Sequence, residues 1–195
     1  MNRKNNYQVC YREVKYFRIE VSKEGVRLIV PQRYPVRVEE VIESKRNWIQ
    51  KKVRQLRELE NISRSLTLYD YQNLEEMVGR FVKDYGDILK IMPGKILFRK
   101  MKNRWGSCHS KNKSLIFNRK LKALPEELIR YVVLHEMCHL LVRNHRKDFW
   151  LLVEKLDEKF EEKERLLLSY NLKLARQQEQ SADFLQKHEI TSTTS

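Results

Sequence analysis

The sequence predicts an α+β fold with a small antiparallel sheet, a helical scaffold and one buried helix carrying two histidines and a glutamate. Three observations point there. Short β-branched and aromatic runs within residues 7–30 and 95–118 read as strands. Longer apolar repeats at helical spacing run between and after them. Within the last group, Leu128, Ile129, Val132, Val133, Met137, Leu140 and Leu141 would bury a helix on which His135, Glu136 and His139 sit.

In chain order, Tyr7 to Val14, Tyr16 to Val21 and Val26 to Val30, with a Ser22-Lys23-Glu24-Gly25 turn, read as a β-meander. Pro31 and Pro35 bracket a loop. Val38, Val41, Ile42, Trp48, Ile49, Val53 and Leu56 then mark a long basic amphipathic helix ending near Glu60. Residues 61–69 read as a polar link. Leu74 to Leu89 forms a second helix, closed by Pro93-Gly94. Lys95 to Lys100 and Ser114 to Asn118 are strand-like, with residues 103–108 as the loop between them. Pro125-Glu126-Glu127 is a helix start, placing proline and acids at the positive end of the dipole. Residues 146–170 read as one further amphipathic helix. The Gln-, Ser- and Thr-rich end reads as a polar tail with at most a helical turn around Phe184 and Leu185. This divides the chain into a meander (1–35), a helical segment (36–93), a metal-binding core (94–170) and a tail (171–195).

The chemistry lies on the buried helix. Four residues advance a helix by about 400°, so His135 and His139 stand one turn apart on one face, and both rings can reach one Zn²⁺. Glu136 beside them suits a base that deprotonates water without becoming a ligand. Two imidazoles and a carboxylate on so apolar a helix are expensive unless a metal or polar cleft compensates. A hydrolytic zinc site takes a third protein ligand. His145 is the candidate if the helix stops near Asn144, where Arg143 can cover the last carbonyls; Glu154 and Glu158 on the following helix are the rivals. Val142 stands where metzincins place glycine, which excludes that pattern.

Composition narrows the setting. The 195 residues are 41% hydrophobic, enough for a core, and their early apolar runs are too short and charged for a span or signal segment. Three scattered cysteines, Cys10, Cys108 and Cys138, argue against a disulfide framework and for the cytoplasm. The formal charge of +14 is uneven: residues 1–120 hold 28 basic and 13 acidic side chains, residues 121–195 hold 12 and 13. Residues 95–120 contain no Asp or Glu and present Lys95, Arg99, Lys100, Lys102, Arg104, Lys111, Lys113, Arg119 and Lys120, a block that would attract a nucleic acid or other polyanion.

Arg104-Trp105-Gly106-Ser107-Cys108, Ile116-Phe117-Asn118, Tyr131 to His139, Asn144-His145 and Phe149-Trp150 together resemble the YgjP-like metallopeptidases, related to the SprT-like group. The resemblance extends over about residues 11–170, including Ser44 to Ile49. It implies a zincin-like core and a zinc-dependent peptidase, with His135, His139 and His145 matching the ligands and Glu136 the catalytic glutamate. Members often carry a longer β-rich insertion where this chain has only residues 61–69. The expected partner is a peptide or protein, with no membrane. The strand Leu115 to Asn118 is expected to offer an open edge to an extended peptide, so Ile116 and Asn118 join Arg104 and Trp105 as candidate substrate contacts. Two rivals remain: a metal-dependent hydrolase of nucleotide phosphoanhydrides using the basic block, which lacks a glycine-rich phosphate loop, and a nucleic-acid-associated protein or protease.

Overall fold

The computed structural model describes residues 7–22, 24–33 and 37–192, with side chains to residue 182; Lys23 of the first turn and Pro35 lie outside the described set. The chain divides into two compact units, Met1–Ile62 and Ser63–Ser195.

The first unit contains β1 (Tyr7–Arg12), β2 (Arg18–Ser22), β3 (Gly25–Pro31) and most of α1 (Val38–Ser65). Its sheet is not a meander. The order is β1-β3-β2, with β1 parallel and β2 antiparallel to β3. β3 takes the centre because Val26, Leu28, Ile29 and Val30 are all buried, and such a strand needs cover on both faces. β1 and β2 leave most of their side chains exposed and stay at the edges, where Arg12, Arg18 and Glu20 remain in water. Gly25, with φ 129°, makes the tight entry to β3 that other residues resist. Leu28, Val30 and Val38 form this unit's core. α1 continues to Ser65, past the stop expected near Glu60, so half of the expected link is helix.

The second unit begins with α2 (Leu74–Leu89), whose Met77, Val78, Phe81, Val82 and Tyr85 are buried in the core that also holds α3 (Glu126–Cys138). α2, the second helix of the segment 36–93, packs against the helix that carries His135 and His139. β4 (Lys95–Arg99), β5 (Gly106–His109) and β6 (Ser114–Asn118) form a mixed sheet, not an antiparallel one. Its order is β4-β6-β5, with β4 parallel to β6 and β5 antiparallel to it. β6 is central because Leu115 and Phe117 are fully buried. Half of the expected 103–108 loop is thus strand β5, and Lys113, in the left-handed region at φ 50°, closes its turn to β6.

After α3, α4 (Lys147–Leu156) and α5 (Phe160–Ser192) replace the single helix expected over 146–170. Asp157 makes the break. Its Oδ1 accepts from the Lys159 amide at 3.1 Å and its Oδ2 from Lys163 Nζ at 2.6 Å, which ties the turn to the start of α5. α5 then runs far into the expected tail. Leu174 packs on the core, and Lys173 Nζ and Arg176 Nη1 reach Ser63 at 3.4 and 3.3 Å, so the polar composition clothes a helix that is docked at its start. No helix among the described residues is long and apolar enough to cross a membrane.

Candidate metal centre

α3 buries Leu128, Ile129, Val132, Val133, Leu134 and Met137, which fixes its rotation and turns His135 and His139 toward a cleft of about 510 Å³. The helix ends at Cys138, earlier than the stop expected near Asn144. Tight turns through Leu140, Leu141 and Val142 close on Met137 and Cys138 instead, with N···O distances of 2.9 to 3.1 Å. They bring the Val142 carbonyl within 3.0 Å of His139 Nδ1. The chain then reverses and delivers His145 just before α4.

The three imidazoles meet edge to edge. His145 Nε2 lies 2.9 Å from His135 Nε2 and 3.0 Å from His139 Nε2. Phe149, fully buried, packs against all three rings at centroid distances of 4.4 to 4.9 Å, and Trp150 stacks on His145 at 5.6 Å. Aromatic packing thus holds the rings from behind and leaves their Nε2 edges toward the cleft. Glu154 and Glu158 are exposed and do not line it.

The outer nitrogens set the inner ones. His139 Nδ1 donates to Val142, which leaves a lone pair on Nε2. His135 Nδ1 faces Glu164 Oε1 at 3.5 Å, and Tyr131 donates its hydroxyl to the same oxygen at 2.7 Å. Burial would raise the Glu164 carboxyl, but His135 and Tyr131 together hold it below the usual range. Glu164, 33 residues after Tyr131, carried no sequence signal; only the break at Asp157 aims α5 so that it reaches the site.

These donors fit a cation. Burial pushes His139 down to about 4 and lowers His145 as well, so both rings are neutral at pH 7. A proton on His145 Nε2 could serve only one of its two neighbours, leaving another pair of nitrogens lone pair to lone pair. A shared metal relieves this: Zn–N bonds of about 2.0–2.1 Å set ligand nitrogens about 3.3 Å apart, a few tenths beyond the two spacings that His145 makes, and the three donors all lie within 4.8 Å of one another.

Glu136 sits beside the rings and is 6% exposed. Burial pushes its carboxyl up to about 7 against the opposing charges of His135 and Arg104. Its Oε2 is buried without a hydrogen-bond partner, as is Trp105 Nε1, and both residues line the cleft. Gly106 permits this placement, since a Cβ there would lie 2.7 Å from Glu136 Cγ and Oε1.

A family model, "YgjP-like, metallopeptidase domain", matches residues 58–170. The chain belongs to the YgjP-like metallopeptidase family. With the three-histidine group, membership points to a metal ion. No curated protein matches the chain. Among solved structures it is similar to the metallopeptidase zymogen of Pyrococcus abyssi abylysin (25% identity, TM-score 0.44, 47% of this chain and 92% of that one). Also similar are Wss1 from Saccharomyces cerevisiae (18%, TM-score 0.40, 45% and 74%) and the zymogen of Methanocaldococcus jannaschii jannalysin (21%, TM-score 0.39, 48% and 92%).

The other residues of this YgjP-like site divide. Arg104 and Trp105 line the cleft; Ile116 and Asn118 do not. β6 is paired on both sides and has no open edge, so the expected peptide contact there has no place. β5 is the edge strand, and its Gly106, Ser107 and Cys108 line the cleft. Asn118 is an anchor. Its Nδ2 donates to the carbonyls of Met101 at 2.8 Å and Arg104 at 2.6 Å, and its amide donates to Trp105 O at 2.8 Å, pinning the loop into β5. The Cys108 thiol is pushed up to about 11 by burial and by Glu136, so it stays protonated.

Proposed function

We propose that this chain is a zinc-dependent peptidase in which His135, His139 and His145 hold the metal and Glu136 is the general base. The convergence of three Nε2 atoms beside a buried, unpartnered carboxylate carries this reading. Three imidazole donors suit zinc, and family membership favours peptide bonds as substrate. Zinc, when bound, supplies the positive charge that acidifies water and polarises a carbonyl.

The chain's own residues do the rest. Glu136 takes a proton from the attacking water and passes it to the nitrogen of the leaving amine, so it returns to its starting state. Glu164, locked by Tyr131, holds the His135 ring in the tautomer that points Nε2 inward. The free edge of β5 lies along the cleft and can pair with an extended substrate. Trp105 Nε1, buried and unpartnered, has a donor to offer a substrate carbonyl.

The phosphoanhydride reading is not favoured. Among the described residues, Arg104 alone of the basic block 95–120 lines the cleft, and the acids lining it, Glu136 and Glu164, are already engaged in the arrangement above. Glu136→Gln decides: metal retained with peptide hydrolysis lost is the expected result, and hydrolysis equal to the parent would end the assignment.

A further inference from the structure

The cleft carries a charge imbalance that metal binding does not use. Its lining includes two exposed arginines, Arg104 and Arg143, and no exposed acid: Glu136 is buried, and Glu164 accepts from Tyr131 while facing His135. Elsewhere in this unit basic side chains near an acid are paired, as Arg119 is with Glu75, Lys122 with Asp70 and Arg130 with Asp84. Neither Arg104 nor Arg143 has an ion-pair partner among the described residues.

Their backbones are also placed rather than loose. The Arg104 carbonyl accepts from Asn118 at 2.6 Å, tying that residue to the end of the central strand, immediately before the edge strand β5. Arg143 follows the turn that presents Val142 to His139 and precedes His145 by two residues. One arginine therefore stands on the β5 wall and the other on the ligand loop, so a peptide lying in this cleft has a guanidinium on each. Guanidinium is the group best matched to carboxylate, through its fork of donors.

Resting on the peptidase reading above, we infer that the preferred substrates of this cleft carry a carboxylate within a few residues of the scissile bond, recognised by Arg104 and Arg143. The carboxylate can belong to an Asp or Glu side chain or to the peptide's own C-terminus; both present the same planar anion. The pair sets substrate choice, and because the Arg104 charge also acts on Glu136 the readout is the acidic-to-neutral ratio and not the absolute rate. Exposed pairs are individually weak, so together they give a preference of about tenfold that shrinks as salt rises.

The test uses the full-length, zinc-loaded protein and a capped neutral peptide in which each Gln is replaced in turn by Glu, beside the same peptide with a free C-terminus. Glu at one or more positions near the cut, or the free terminus, should raise kcat/KM about tenfold, mainly through KM. Arg104→Gln and Arg143→Gln should each bring the acidic-to-neutral ratio toward one, and Arg143→Glu should favour Lys-substituted peptides. Gain from internal Glu identifies a side-chain carboxylate, and gain from the free terminus alone identifies C-terminal trimming. A ratio of one throughout, or a preference that survives in the double variant, overturns the inference. Equilibrium binding of the same peptides to zinc-loaded Glu136→Gln separates the two levels. An acidic preference in binding without any cleavage by the parent would sink the peptidase reading and spare the arginine pair; equal binding of acidic and neutral peptides would sink the pair itself.

Discussion

Gly106→Ala adds one methyl group at the point where β5 touches Glu136, the proposed general base. The new Cβ would sit 2.7 Å from Glu136 Cγ and Oε1 and 2.9 Å from Cδ. Carbon atoms rest at about 3.5–4.0 Å, so the contact is short by roughly 0.8 Å or more. Relief by a swing of the carboxylate alone fails, because Cγ is as close as Oε1; either β5 or the whole Glu136 side chain must shift. A misplacement on this scale costs on the order of a hundredfold in turnover, while overpacking costs about 1–3 kcal/mol of stability. The ligand histidines are not in that contact. The variant should therefore keep its zinc, lose a few degrees in Tm and fall about a hundredfold in kcat against a peptide substrate, with KM changed much less. Full turnover in a zinc-replete Gly106→Ala protein would show that Glu136 is not held where the reaction needs it.

Other outcomes follow from the same geometry. Glu164→Gln leaves Tyr131 a partner but removes the charge facing His135, so zinc affinity should fall about 10- to 100-fold with the fold intact; a competition titration giving the parent's affinity would refute that role. In the metal-free protein, Glu136 is raised to about 7 by burial, so its stabilising contribution is full below its ordinary 4.5 and is lost as pH rises through 7. Metal-free Glu136→Gln should then exceed the parent in unfolding free energy at pH 8 by an amount on the order of 3 kcal/mol, and by little at pH 5; an equal gain at both would contradict it. His139 runs the opposite way. Its folded value near 4 lies below the ordinary 6.5, so stability present above about 6.5 is lost as pH falls through 4. Ending the chain after residue 182 should be tolerated, whereas ending it after residue 171 removes Leu174, Lys173 and Arg176 from their contacts and should lower Tm by several degrees. Equal melting of the two truncations would show that residues 173–176 of α5 are not docked.

Where local signals were strong, the sequence was legible. α2 and the start of α3 follow from apolar spacing and from Pro125 with its acids, and the four-residue step between His135 and His139 places both rings on one face. β5 was missed because Gly106-Ser107-Cys108-His109 has no β-branched residue; it is a strand only because β6 offers an edge to pair with. The central places of β3 and β6 came from competition for burial among strands, which no single strand reveals. Glu164 was invisible for a related reason. It reads as one more acid on a charged helix until the turn at Asp157 sets where that helix points. Asn118 looked like a substrate contact and proved to be a loop anchor, since its donors are spent on Met101 and Arg104.

Metal content measured on the parent and on His135→Ala, His139→Ala and His145→Ala tests the centre most directly. One zinc per chain in the parent and strong loss in each variant, with Glu154→Ala and Glu158→Ala unaffected, is the result expected from three Nε2 atoms meeting at one point. A parent that binds no zinc, or a His145→Ala protein that keeps it, would contradict the account.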